Sequence, residues 1–240
     1  METINKRVGN FTSSEIWKLT TEGKTKGTFG KPAISYIKEK EYERKLGRSL
    51  NTESFSYPTS WGHLCEIYAH SLLPLDYVLQ SKEVLTHPTI DNWRGSPDLL
   101  TDERVGDIKC PYTMKSFCEM VEACSKVETF KSEYPEYYWQ LVSNAILTDK
   151  KYIELIVFCP FRSEIDWVKD MADNYEGDDP FQFKWIYDAN IKKLPYLIDG
   201  NFYTNLNIFT FELDEEDVEF LTSKVLKANE LINELETIPY

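Results

Sequence analysis

The sequence has few cysteines and no paired cysteine spacing. Five are present among 240 residues, and no two of them form a Cys-x-x-Cys pair. Zinc knuckles, disulfide frameworks and iron–sulfur clusters all need clustered cysteines, so the pattern argues against these sites. It predicts buried thiols in a reducing compartment.

Long apolar runs are also absent. No stretch of about 18 apolar residues occurs, and the first fifteen residues lack the apolar segment of a signal peptide. We therefore expect no membrane span and a cytoplasmic location.

Several catalytic motifs are missing. There is no Gly-x-Ser-x-Gly, and the glycine-rich residues 23–31 lack the order of a phosphate-binding loop. Only three histidines occur, and although His63, Glu66 and His70 share a helix face, their spacing is not that of a zinc hydrolase. A solvated or partly packed face is the simpler interpretation of these three residues.

The composition supports a folded core. Hydrophobic residues make up 42 % and aromatic residues 14 % of the chain, without low-complexity segments. The length suits one domain over residues 1–240, with a helical part at 1–75, a core at 82–160, and a strand and C-terminal helix at 200–240.

Charge is distributed unevenly along the chain. The net charge is −13, which at first argues against a nucleic-acid ligand. Residues 1–48, however, contain 11 Lys and Arg against 6 Asp and Glu, while the remainder contains 16 against 34. The N-terminal part could therefore face DNA and the acidic part solvent, although ordinary surface variation would give the same pattern.

Hydrophobic periodicity predicts the order helices, three strands, two helices, strand, and then a last strand and helix. Helices are predicted at residues 11–20, 32–48, 59–73, 113–128, 135–148 and 214–236, and strands at 82–87, 94–100, 103–110, 151–160 and 202–213. Residues 21–30 and 170–182 are predicted as loops. The expected fold is α/β, with a central mixed β-sheet flanked by helices and a C-terminal helix.

One stretch, residues 95–111, contains several residues that could bind a metal ion or take part in catalysis. Asp107 and Lys109 are two apart on a strand, so they point to the same face. A hairpin return would bring Asp98, which follows Pro97, alongside Asp107. Two converging carboxylates need a cation between them, and hard oxygen ligands suit Mg²⁺ or Mn²⁺. Phosphodiester hydrolysis requires such a centre, because a general base alone supplies only about 10²–10⁴-fold acceleration. Asp-x-Lys alone is a weak signal that a cross-strand salt bridge would also explain.

The neighbouring motifs strengthen the signal. Pro97-Asp98 followed by Asp107-x-Lys109 resembles the signature of the PD-(D/E)xK nucleases, and Trp61-Gly62 before Glu66 resembles the WG-x-x-x-E motif of the YqaJ-type, lambda-exonuclease-like phage recombinases. Three further segments resemble that family in the same order: DIKCP, with Asp in place of the commoner Glu, YYWQLVSNAILT and KYIELIVFCPFR. The resemblance covers about residues 7–163 and implies a restriction-endonuclease-like core.

The resemblance implies roles for individual residues. Asp98, Asp107 and the carbonyl of Ile108 would bind two Mg²⁺ or Mn²⁺ ions, and Lys109 would activate or orient water. Glu66 would be an auxiliary ligand or position water; otherwise it is a surface glutamate.

Three more roles follow from the same resemblance. Gln140 would hydrogen-bond in the active site, with Asn144 one turn later on the same face; the plain alternative is a helix-surface amide. Arg7 and Ser14, seven residues apart, would bind the 5′-phosphate of DNA, although Ser14 would equally suit a helix cap.

The implied function is a metal-dependent 5′→3′ exonuclease acting on double-stranded DNA ends in phage-type recombination, in the host cytoplasm if phage-encoded. The resemblance also implies a single-strand annealing protein as partner and a ring-type trimer or tetramer. An apolar stripe at helical spacing in residues 218–235 would either join subunits or cover the chain's own core. The alternatives are an endonuclease built on the same core and a non-catalytic nuclease-fold module that binds a partner or mimics DNA.

Overall fold

A mixed five-stranded sheet forms the centre of the molecule. The computed structural model describes residues 6–50, 55–79, 84–177, 179 and 181–236. The strands in this part are β1 (Phe11–Thr12), β2 (Val78–Leu79), β3 (Leu85–Thr86), β4 (Trp93–Gly95), β5 (Leu99–Leu100), β6 (Arg104–Lys109), β7 (Tyr152–Phe158) and β8 (Leu206–Glu212). The main sheet has the order β2-β5-β6-β7-β8, in which only β6 and β7 are parallel neighbours. A small second sheet has the order β1-β4-β3.

Helices cover both faces of the main sheet. In the described part they are α1 (Lys31–Leu46), α2 (Tyr57–Ser71), α3 (Met114–Ala123), α4 (Val127–Glu133), α5 (Pro135–Thr148), α6 (Ile165–Asp173), α7 (Lys184–Asp188) and α8 (Glu215–Glu236). Short 3₁₀ turns lie at Ile16–Thr20, Arg162–Glu164 and Ile191–Lys193. The predicted α/β class, with a mixed sheet between helices and a C-terminal helix, is confirmed.

The residues of β7 show how the two cores are separated. Ile153, Leu155 and Val157 belong to the core formed with α1, α3, α5 and α8, whereas Ile156 and Phe158 belong to the core formed with α2, α6 and α7. Successive strand residues point to opposite faces, so a nearly continuous apolar strand buries both. In β6, Val105 faces the α5 side and Ile108 the α2 side.

Several predicted elements are confirmed. Helices occur at α1, α2, α5 and α8, and strands at β6, β7 and β8, each within a few residues of the predicted bounds. Pro135 begins α5, where its missing N–H is not needed. Part of the predicted strand at 82–87 lies outside the described residues, and the rest contains β3.

The predicted helix at 11–20 is wrong in its first half. Phe11 and Thr12 form β1, which pairs in parallel with β4, and only a 3₁₀ turn follows. Thr12 is a favourable N-cap residue and Glu15 suits a first helical turn, but these preferences are local, and pairing with Trp93 and Arg94 overrides them.

Three other predicted elements also need correction. The strand at 94–100 is two strands, β4 and β5, interrupted at Ser96–Pro97–Asp98, because Pro97 has no N–H for a ladder. The helix at 113–128 ends at Ala123, and α4 then begins at Val127. The loop at 170–182 begins inside α6, whose Ile165, Val168 and Ala172 are buried.

The apolar stripe of α8 covers the chain's own core. Leu221, Val225, Ala228 and Ile232 are fully buried within the cluster that also contains residues of α1 and α5. The stripe therefore gives no support for a subunit contact.

None of the helices in the described ranges combines the length and apolarity that crossing a bilayer requires. All five cysteines are free, and four of them are buried, as predicted.

Candidate active site

Asp98 and Asp107 face each other across the β5–β6 hairpin. Leu99 pairs with Gly106 in this antiparallel ladder, so the same register places Asp98 opposite Asp107. The two carboxyl groups lie within hydrogen-bonding reach of each other. The predicted convergence of the two acidic side chains is therefore present, although Asp98 precedes β5 instead of ending a strand.

Lys109 places a positive charge beside this pair of carboxyl groups. Asp107 and Lys109 share the α5 face of β6, and the Lys109 Nζ lies 2.6 Å from Oδ2 of Asp107. The carboxylate of Asp107 is fully buried, and Gln140 Nε2 of α5 donates a hydrogen bond of 3.0 Å to its Oδ1. The ammonium also lies 4.9 Å from the ring centroid of Tyr137. Asp107 is thus fixed from two sides by residues predicted for the site.

Glu66 approaches Asp107 and Lys109 from α2, which packs on the other face of the sheet. It belongs to α2 and lines, together with Lys109, a cleft of about 670 Å³. We call this the tyrosine cleft, because Tyr112, Tyr134 and Tyr137 also line it. Burial raises the pKa of Glu66 to about 7, with Lys109 lowering it and Asp107 raising it further. Glu66 is thus close enough to Lys109 and Asp107 for their charges to change its pKa, and its role as auxiliary ligand or water-positioning residue stays a prediction.

The electrostatics of the cluster reflect crowded acids around one cation. Burial, and then the proximity of Asp107, raises the pKa of Asp98 to about 9. Burial alone would lower the pKa of Lys109, but Asp107 and Asp98 outweigh it and raise that pKa above its usual value. These surroundings favour the charged form of Lys109 and the protonated form of Asp98.

The donor set fits a hard divalent cation. Oδ2 of Asp107 is buried, and although it has an ion-pair partner in Lys109, no hydrogen-bond donor is aligned with it. Asp98 and the backbone carbonyl of Ile108 add oxygen donors on the same hairpin, and such donors suit Mg²⁺ or Mn²⁺. Within the described ranges, no three His, Cys, Asp or Glu side chains converge closely enough to form a metal site by themselves. Glu66 is accordingly an outer member of the cluster.

A second, smaller pocket adjoins Asp98 and Gln140. It has a volume of about 160 Å³. Its lining residues are Arg7, Thr12, Ser13, Ser14, Arg94, Gly95, Ser96, Asp98 and Gln140, and we call it the serine–arginine pocket. The structure thus places Arg7 and Ser14 in one pocket with Asp98 and Gln140, and their role in binding a 5′-phosphate stays a prediction.

The small sheet explains this placement. The parallel pairing of β1 with β4 puts residues 11–14 beside the segment that leads into Asp98, and Ser13 N–H donates to the Arg94 carbonyl. Ser13 Oγ also lies 2.8 Å from Ser143 Oγ of α5. Ser14 follows directly and lies in the pocket rather than capping a regular α-helix.

The loop that carries Arg7 is held by α1. Gly9 N–H donates to Glu43 Oε2 over 2.9 Å, and Arg44 Nε donates to the Gly9 carbonyl over 2.8 Å. Gly9 has φ +69°, and a Cβ there would lie 2.5 Å from Arg44 Cγ, so only glycine fits. Both backbone polar groups of Gly9, its N–H and its carbonyl, are therefore held by α1 two residues after Arg7.

Asn144, predicted to share a face with Gln140, is fully buried instead of bordering the pocket. Its side-chain amide has no hydrogen-bond partner. Gly95 lies against it, because a Cβ on Gly95 would come within 2.7 Å of Asn144 Oδ1 and 2.4 Å of Ser13 Oγ. Close packing of β4 on α5 thus requires glycine immediately before Ser96.

Sequence reasoning missed Arg94 and Ser96 as pocket residues. Both stand just before Asp98 in the stretch WRGSPD. Because they are two residues apart, Arg94 and Ser96 would point to the same side of a strand. That spacing predicts a shared pocket only if the chain before Pro97 is recognised as a separate strand.

No protein-family model matches the chain, and no functionally curated protein matches it in sequence. Its fold is similar to that of LHK-Exo, an alkaline exonuclease from Laribacter hongkongensis, with a TM-score of 0.61 and 15 % identity over 97 % of this chain and 94 % of that one. For LHK-Exo in complex with dAMP the TM-score is 0.62 and the identity 16 %, again over 97 % of this chain and 94 % of that one. For a phage-related exonuclease from Haemophilus somnus 129PT the TM-score is 0.62 and the identity 16 %, over 95 % of each chain. The chain therefore has the fold of alkaline and phage-related exonucleases, in agreement with the resemblance of its motifs.

Proposed function

We propose that the chain is a metal-dependent exonuclease that degrades double-stranded DNA from its 5′ ends in phage-type recombination. The observation that carries the proposal is the convergence of Asp98, Asp107, Lys109 and Gln140 beside a pocket that contains Arg7 and Ser14. The shared fold with alkaline and phage-related exonucleases supports it.

Asp98, Asp107 and the Ile108 carbonyl would hold two Mg²⁺ or Mn²⁺ ions, with Glu66 as an outer ligand. When bound, the metal would supply an acidified water and neutralise charge on the phosphate. Gln140 holds Oδ1 of Asp107 and so fixes the orientation of the carboxylate, whose Oδ2 contacts Lys109 and would also face a bound cation.

Lys109 acts as a cation in this proposal. Since neighbouring carboxylates raise its pKa, it does not accept a proton at neutral pH but orients water and offsets charge at the scissile phosphate. Glu66, whose pKa lies near 7, faces the tyrosine cleft and would position the attacking water.

Arg7 and Ser14 would hold the terminal 5′-phosphate through charge-assisted hydrogen bonds. The serine–arginine pocket shares Asp98 with the catalytic cluster, so a phosphate held there places the next phosphodiester near the carboxylates. The dAMP bound by LHK-Exo is a nucleoside monophosphate, which is also the product expected here from stepwise degradation.

Linear and circular DNA should give different outcomes. We expect complete degradation of a linearised plasmid with Mg²⁺, no loss of the same plasmid as a closed circle, and no degradation of either with EDTA. Agarose gels and acid-soluble nucleotide release measure this directly.

Cutting of the closed circle would replace the exonuclease proposal by the endonuclease alternative. Failure to cut any DNA, together with failure to bind Mn²⁺, would favour a non-catalytic binding or DNA-mimic module instead. A ring-type trimer or tetramer, a single-strand annealing partner and a cytoplasmic location remain proposals that rest on the resemblance of the motifs.

A further inference from the structure

The serine–arginine pocket contains a second guanidinium group. Arg94 lies in the middle of β4, which pairs with β1 on one side and β3 on the other, so its backbone is held firmly. Arg7 stands across the pocket on the loop clamped by α1. Two residues from separate parts of the sequence thus bring positive charge to one small space.

The side chain of Arg94 is not satisfied within the protein. Its Nε is buried without a hydrogen-bond partner, and the guanidinium forms no ion pair with any described residue, Asp98 included. A buried donor left without a partner costs about 1–3 kcal/mol, and more when the group is charged. Such a cost is offset when an anion binds.

The remaining features of the pocket favour a small oxyanion. Ser14, Ser96 and Thr12 contribute hydroxyl groups that donate hydrogen bonds. A volume of about 160 Å³ is below the roughly 300–1,000 Å³ typical of pockets for larger organic ligands. The pocket therefore suits a phosphate group and not a whole nucleoside.

We propose that Arg94 is a specificity-determining residue that acts with Arg7 to select DNA strands ending in a 5′-phosphate. A phosphate monoester carries close to two negative charges at neutral pH, whereas an internal diester carries one and a 5′-hydroxyl end none. Two guanidinium groups match the monoester. The inference rests on the proposed function, because it assumes that a DNA end enters this pocket.

The test is a binding measurement without catalysis. Two short duplexes, labelled at the 3′ end and differing only in a 5′-phosphate or 5′-hydroxyl, are titrated with protein in EDTA and followed by fluorescence anisotropy. We expect the unmodified protein to bind the phosphorylated duplex more tightly. Arg94→Ala should weaken that binding roughly ten- to a hundredfold and leave the hydroxyl duplex within about twofold.

Two further variants sharpen the comparison. Arg94→Lys keeps the charge but loses the planar fork, so the preference for phosphate should fall only in part. Arg162→Ala removes a half-exposed arginine that lines neither pocket and should keep the full preference. Melting temperatures of all variants check folding, and inorganic phosphate should compete with the phosphorylated duplex alone.

An Arg94→Ala protein that keeps the preference, an unmodified protein that shows none, or an equal loss in Arg162→Ala would each overturn the inference. Because no cleavage is required, a protein that cuts no DNA but loses its phosphate preference in Arg94→Ala would sustain the inference while the exonuclease proposal fails.

Discussion

Replacing Asp107 by asparagine should lower the rate of DNA degradation at least about a thousandfold. The substitution keeps the size of the side chain but removes the negative charge that a divalent cation and Lys109 both require. Asp107 is fully buried and contacts both Lys109 and Gln140, so the substitution removes the charge at the centre of the proposed site. The measurement is the initial rate of nucleotide release from linear duplex at saturating Mg²⁺.

Lys109→Ala should have a comparable effect. The matched control is Lys151→Ala, because Lys151 is an exposed lysine that precedes β7, at the end of the sheet opposite Lys109, and pairs with Glu212 on the surface. That control should retain nearly full activity. Retention of more than a tenth of the rate in either Asp107→Asn or Lys109→Ala would show that catalysis does not depend on this cluster.

The largest loss of stability is expected from Glu154→Ala. Glu154 is only 1 % exposed in the middle of β7, where it accepts hydrogen bonds from Tyr77 over 2.8 Å and Thr210 over 2.6 Å. Arg104 lies 3.5 Å from the same carboxylate. Removing the acceptor leaves these donors without a partner and opens a cavity, so the free energy of unfolding should fall by about 3 kcal/mol.

Urea denaturation measures this change, and Glu212→Ala provides the control. Glu212 lies on the adjacent strand β8 and pairs with Lys151, but it is exposed, so its loss should cost less than about 1 kcal/mol. Equal effects of the two substitutions would mean that the buried hydrogen bonds of Glu154 contribute nothing beyond a surface ion pair.

Local patterns were sufficient to predict that Asp98, Asp107 and Lys109 converge. The two-residue period of a strand aligned Asp107 with Lys109, and the short hairpin brought Asp98 opposite Asp107. Gln140 on α5 and Glu66 on α2 were expected at the site only because their motifs resemble those of the phage recombinases. The relations among Asp98, Asp107 and Lys109 hold within one strand or one hairpin, where geometry leaves few choices.

The serine–arginine pocket needed long-range information. Its position depends on the pairing of β1 with β4, which lies about eighty residues later in the chain. No local sequence pattern near Phe11 predicts that β4 is its partner. Arg94 and Ser96 were therefore read as part of one continuous strand. Similarly, the acidic composition after Asp170 concealed the last turn of α6, which is held by burial of Ala172 against the sheet.

Anomalous diffraction from crystals grown with Mn²⁺ tests most directly whether this hairpin is a metal centre. We expect a manganese peak about 2.0–2.3 Å from carboxylate oxygens of both Asp98 and Asp107, and its disappearance in Asp98→Asn. Crystals that show no manganese between these two side chains, or that show the two carboxylates turned away from each other with metal present, would contradict the proposed active site.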